Sequence, residues 1–147
     1  MGTQRRAVQR SESRREKGAV AVEFALVLPI FLMLVFGIVE FGRAYNMQVS
    51  LTDAARETAR YTAIHYADAG FSPADARTVG INAAPSVALA PANIQIAYSS
   101  GSACAAGQSV VVTINVVTPY MTGLPGLIPG MPANLDISSK GVMRCGG

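Results

Sequence analysis

The chain has 147 residues, half of them apolar and only 14% charged, with one His and two Cys. That is one ordinary domain's worth of sequence, and two Cys without further His do not make a four-ligand structural zinc site. No phosphate-binding or dinucleotide fingerprint occurs, since the glycines cluster with prolines in turns. An enzyme and a bound cofactor are therefore not expected.

The charge is unevenly spread. Residues 1–18 hold six basic side chains (Arg5, Arg6, Arg10, Arg14, Arg15 and Lys17) against Glu12 and Glu16. This tail is +4 in a chain of net +3, which leaves −1 for the rest. It contains no aromatic residue to stack on bases, so nucleic-acid binding is a poor account of it.

Residues 19–39 explain it better, because they carry a single charge, Glu23. As a helix they reach roughly 30 Å, the thickness of a bilayer's hydrocarbon core. Twelve of the sixteen residues from Phe24 to Val39 are Leu, Ile, Val or Phe. Together they favour insertion by about 5 kcal/mol, more than one terminal carboxylate opposes. A basic segment before such a span stays in the cytoplasm and the remainder is translocated. Glu40 and Arg43 mark the exit from the span and carry no further reading. Pro29 lies inside it, either as a kink or as an ordinary membrane-helix proline.

The helix is expected to continue to about residue 68, since no proline follows until Pro73. Phe41, Ala44, Gln48, Leu51, Ala55, Thr58, Thr62 and Tyr66 recur at three- and four-residue steps and define the face to be covered. Most of them are small, which permits close approach of another element. Asp53, Arg56, Glu57 and Arg60 form a charged cluster read as a solvated face. Ser72-Pro73-Ala74-Asp75 starts a second helix over 73–83, with Ser as cap and Pro in the first turn. Strands are expected at 93–98, 109–118 and 135–144. In the second, Val110, Val112, Ile114 and Val116 share one face. The intervening loop 119–134 contains two Pro-Gly pairs, each favouring a type II turn. Its apolar residues Met121, Leu124, Leu127, Ile128 and Met131 are candidates either for a subunit contact or for capping the domain's own core. The fold class expected is α+β: a long N-terminal helix, a short second helix and a small antiparallel sheet.

Cys104 and Cys145 both fall in the translocated part. A bridge between them would close a loop worth roughly 4 kcal/mol. Two buried free thiols are the alternative. A domain of this size has a marginal core, so the exported half of the long helix is the natural spine for its sheet.

The stretch Arg14-Arg15-Glu16-Lys17-Gly18-Ala19-Val20-Ala21-Val22-Glu23-Phe24 resembles a type IV prepilin cleavage site. It has a basic leader ending in Gly, a small residue next, Glu five places on, then an apolar helix. The longer run from Gly18 to Ala63, including Glu-Phe-Ala-Leu-Val-Leu-Pro and Ala-Ala-Arg-Glu-Thr-Ala-Arg-Tyr, resembles the TadE-like minor pilins of the tight-adherence (Tad/Flp) pilus. A Gly is frequent in that family where this helix has Thr58. The resemblance implies cleavage between Gly18 and Ala19 by a membrane-embedded prepilin peptidase. It also implies that Glu23, next to Phe24, pairs with the N-terminal amine of a neighbouring subunit. For Glu23 taken alone, a carboxylate near the interface complementing the helix dipole is the better reading.

The organisation expected is a basic cytoplasmic leader 1–18, a span 19–40, an exported helical continuation 41–68 and an exported α+β domain 69–147. The implied location is the bacterial inner membrane, single-pass. The implied partners are the prepilin peptidase, other pilin-like subunits and Tad assembly proteins, without nucleic acid or small-molecule substrate. Two rivals compete with that processing. One is signal-peptidase cleavage after Ala44; the other is an uncleaved single-pass scaffold.

Overall fold

The structure is a computed structural model that describes residues 3–146, with side chains from Gly18 onward except those of Leu124 and Leu127. The basic side chains of the leader lie outside the described residues. Helix α1 runs Thr3–His65 and helix α2 runs Pro73–Ala83. Three strands follow, β1 Ile94–Tyr98, β2 Ser109–Pro119 and β3 Asn134–Arg144, with a one-turn helix α3 (Leu124–Leu127) between the last two. The class is α+β, as the periodicities predict.

The chain divides into two compact units, Met1–Val39 and Glu40–Gly147. In the first, the described residues are one turn after another of α1. Glu40–Gly147 contains the hydrophobic core.

The sheet is an antiparallel meander in the order β1-β2-β3. Strict alternation decides its faces: Val110, Val112, Ile114 and Val116 are buried, while Asn115 and Val117 are exposed. Register places Ile114 between Ile94 and Ser139, and Val112 between Ile96 and Gly141. The inward row of β3 thus reads Ile137, Ser139, Gly141, and its residues shrink along the strand. A Cβ at Gly141 would overlap the Ala55 carbonyl, so the missing side chain lets β3 lie directly against α1.

The covered stripe of α1 is Met47, Leu51, Ala54, Ala55, Thr58, Ala59, Thr62 and Ala63. It shares Leu51, Ala55, Thr58 and Thr62 with the expected face and differs from it elsewhere. Phe41 and Gln48 are exposed, and Met47, Ala54, Ala59 and Ala63 are covered instead. Small residues gain closeness rather than area, which is why alanines serve here. Thr58 and Thr62 satisfy their hydroxyls by donating to the carbonyls of Ala54 and Thr58. Helix α2 approaches α1 through Gly80, where a Cβ would collide with the Thr58 hydroxyl. The bulk at position 58 is thus accommodated by a glycine on the opposing helix. Ser139 donates to Thr52, and the Gln48 amide donates to the Ser138 carbonyl, which pins β3 in its register along α1.

Helix α2 begins as the sequence indicates: Ser72 accepts from the Ala74 amide, Pro73 opens the first turn and Asp75 lies within it. The two Pro-Gly pairs of the loop behave differently. Ile128-Pro129-Gly130-Met131 closes a turn, with the Met131 amide donating to Ile128 and Gly130 at φ 87°. That is the type II pattern. The expected type II turn at Pro125-Gly126 is instead the helical turn α3, with the Gly126 amide donating to Gly123. Gly126 has no positive φ, so glycine's conformational freedom is unused there.

Candidate functional site

The residues that the prepilin-like pattern singles out share one element. Gly18, Ala19, Glu23, Phe24 and Pro29 all lie on α1 and all are exposed. Gly18 has open space where a Cβ would be. A protease would therefore meet no side chain at that residue. Glu23 is one helical turn beyond Ala19, close enough for its carboxylate to face an α-amino group created there. The helix continues through Pro29, although proline cannot donate the amide hydrogen bond to Ala25.

Around these residues α1 presents apolar surface on every side. Leu26, Ile30, Phe31, Leu34 and Ile38 are between 58% and 72% exposed. A helix apolar all round is stable only in an apolar surrounding, either a protein core or a membrane. Among the described residues this is the one helix long and apolar enough to cross a bilayer.

Glu40, which the sequence marked only as the exit from this run, is buried at 5% exposure. Its carboxylate accepts from the amides of Met121 (3.1 Å) and Thr122 (3.2 Å) and from the Thr122 hydroxyl (3.2 Å). Arg43, one turn on, donates to Glu40 (3.2 Å), to the Thr118 hydroxyl (3.0 Å) and to the Pro119 carbonyl (3.1 Å). Two adjacent charges thus hold the end of β2 and the start of the following loop against α1. A charged acceptor of this kind is worth more than a neutral hydrogen bond, and removing it would orphan two amides. Sequence alone offers no pointer to this arrangement, because its partners are more than seventy residues apart.

Cys104, in the loop between β1 and β2, is bonded to Cys145 just after β3, with Cα atoms 5.9 Å apart. The Cys145 amide donates to the Gln108 carbonyl and the Gly146 amide to Ala63 on α1. The bridge therefore fastens the β1–β2 loop and the end of β3 beside the last turn of α1.

The remaining polar groups are surface devices. Arg60 donates two hydrogen bonds to Glu57, which holds that carboxyl below its ordinary range against slight burial and raises the guanidinium. His65 pairs with Asp68 at 2.6 Å and stacks on Tyr61. Among the described residues no cluster of His, Cys, Asp and Glu has the makings of a metal site. Of the loop residues that are candidates for a subunit contact, Met121 is 73% and Ile128 38% exposed. The side chains of Leu124 and Leu127 lie outside the described residues.

Residues 18–60 match the family model described as TadE-like protein, the family that the sequence resembles. No curated protein and no solved structure matches the chain. The matched segment begins at Gly18 and ends within α1 at Arg60, so it takes in the apolar run and most of the stripe under the sheet, but no strand. The likeness to that family is confined to this segment of α1.

Proposed function

We propose that this chain is a minor pilin-like subunit, or an assembly-priming component, of a Tad-type pilus, made as a precursor and cut between Gly18 and Ala19. The observation that carries this reading is the TadE-like match starting at Gly18 and running along a helix whose apolar side chains are uncovered. In it, residues 19–39 span the inner membrane, the basic leader is held in the cytoplasm, and the disulfide-bonded domain is exported. The role is structural rather than enzymatic.

Cleavage would free the Ala19 α-amino group, charged at neutral pH, one turn from Glu23. Two opposite charges in an apolar helix bundle are each unfavourable alone and tolerable together. Pairing of Glu23 in one subunit with the amine of its neighbour would set the axial register as a subunit joins. Pro29, by removing one backbone hydrogen bond, gives the helix a place to bend on leaving the bilayer.

Signal-peptidase cleavage after Ala44 fits the structure poorly. It would discard Glu40 and Arg43, which hold the β2 end of the domain, and cut α1 just before the covered stripe begins at Met47.

The test is the N-terminal sequence of the membrane-extracted protein from its native host, with and without its prepilin peptidase. A start at Ala19 that depends on the peptidase is expected. An intact leader in both strains would make the chain an uncleaved scaffold, and a start at Tyr45 a secreted protein.

A further inference from the structure

The loop after β2 carries no charge, nor does the whole run from Thr78 to Leu135. From Pro119 to Leu135 there is no Asp, Glu, Lys or Arg, while Met121, Leu124, Leu127, Ile128 and Met131 recur through it. Met121 is 73% exposed, a large apolar side chain without cover in the folded domain. Its backbone nevertheless is tightly held. The Met121 and Thr122 amides bind Glu40, Gly126 donates to Gly123, and Met131 donates to Ile128. Pro125, Pro129 and Pro132 carry no amide hydrogen at all. Each amide so bonded, and each proline, is one donor fewer to desolvate on entering a less polar medium.

Its location follows from chain connectivity. Glu40 is the residue after Val39, where the apolar run ends, and the loop's first amides are bound to that carboxylate. If residues 19–39 cross a bilayer, the loop's start is at the boundary between acyl chains and headgroups. Between Phe24 and Thr52 the only charges are Glu40 and Arg43, and these are bonded to each other and to the β2 end. The same level of α1 exposes Phe41 and Tyr45, aromatic residues of the kind enriched at membrane interfaces.

We infer that the loop 119–135 rests on the outer surface of the bilayer its own helix crosses, as a second, shallow membrane contact latched by Glu40. The inference rests on the membrane span of the proposed function and adds a lipid-facing surface to the exported domain. Two contacts, one spanning and one interfacial, would fix how that domain stands on the membrane until the helix is withdrawn into a filament. A lipid surface is preferred to a second copy as the occupant, because the bilayer is brought to the loop by connectivity alone.

The experiment uses the full chain, disulfide intact, in phosphatidylcholine vesicles. A fluorophore is placed at Ile128→Cys, at Leu32→Cys in the span or at Val142→Cys on β3, and quenched by lipids brominated at shallow or deep acyl positions. Val142 is exposed and adjoins Gly141, which packs on Ala55, well along α1 from Glu40. The expected result is Leu32 quenched by deep bromines and Ile128 by shallow ones, with Ile128 quenched at least about twofold more than Val142. Glu40→Gln should reduce the Ile128 quenching and leave Leu32 unchanged. Quenching at Leu32 without any at Ile128 would overturn the inference and leave the span intact. Absence of quenching at Leu32 would remove both. Crosslinking of Ile128→Cys between copies in place of lipid quenching would make the loop a subunit contact and overturn the inference. Unaltered Ile128 quenching in Glu40→Gln would overturn the latch.

Discussion

The two parts of α1 on either side of Glu40 are equally helical and oppositely built. Before it, large side chains stand uncovered: Leu26, Ile30 and Ile38 are each more than 60% exposed. After it, Leu51, Ala54, Ala55, Thr58, Ala59 and Thr62 are wholly or almost wholly buried, and most are small. The first part offers area and the second offers closeness. Large residues suit a fluid apolar medium that conforms to any surface, and small ones suit a fixed partner that must come near. One helix can serve both only because the change of residue size coincides with a charged pair, Glu40 and Arg43, that ends one environment and anchors the other.

The comparison can be broken most severely in the first part. Leu28→Arg with Leu32→Arg should oppose insertion by roughly 5–7 kcal/mol, cancelling the apolar run. Carbonate extraction of membranes should then find the protein no longer integral. Next in size is the bridge of the second part. Cys104→Ser with Cys145→Ser should lower stability by about 4 kcal/mol, read as the unfolding midpoint of the detergent-extracted chain.

A matched pair of glycine substitutions sharpens the contrast. Gly141→Val should destabilise the domain by about 3 kcal/mol, because a side chain there meets the Ala55 backbone. Gly37→Val, on the exposed part of α1 with nothing within 4 Å, should leave the same unfolding midpoint unchanged. Equal effects at the two positions would contradict the packing described for β3.

The smallest effect belongs to the wet side of the second part. The Glu57 carboxyl is held below its usual range by hydrogen bonds from Arg60. Its contribution is therefore present above the ordinary carboxylate range and is lost as pH falls through its lowered folded value. With both side chains at least a third exposed, Glu57→Gln should change stability by less than about 0.5 kcal/mol in neutral urea melts. The difference should disappear in acid.

Much of this molecule was legible in local pattern. The alternation in β2 and the Ser72-Pro73 helix start depend on neighbours in sequence, and each agrees with the structure within a residue or two. The disulfide followed from count and compartment. The covered face of α1 was only half legible, because a helix rich in Ala and Thr carries little contrast between its sides. Phe41, the largest apolar residue of the expected face, is in fact the most exposed.

What the sequence by itself determined, then, is which segments are helix, strand and membrane-length apolar run, since short-range periodicity and composition decide those. The tertiary structure alone decided that Thr58 is answered by Gly80, that Gly141 admits β3 to the Ala55 backbone, and that Glu40 and Arg43 hold a loop far along the chain. Each of these depends on two groups brought together by folding. Steric fit and charge satisfaction are properties of such pairs, and neither member shows them alone.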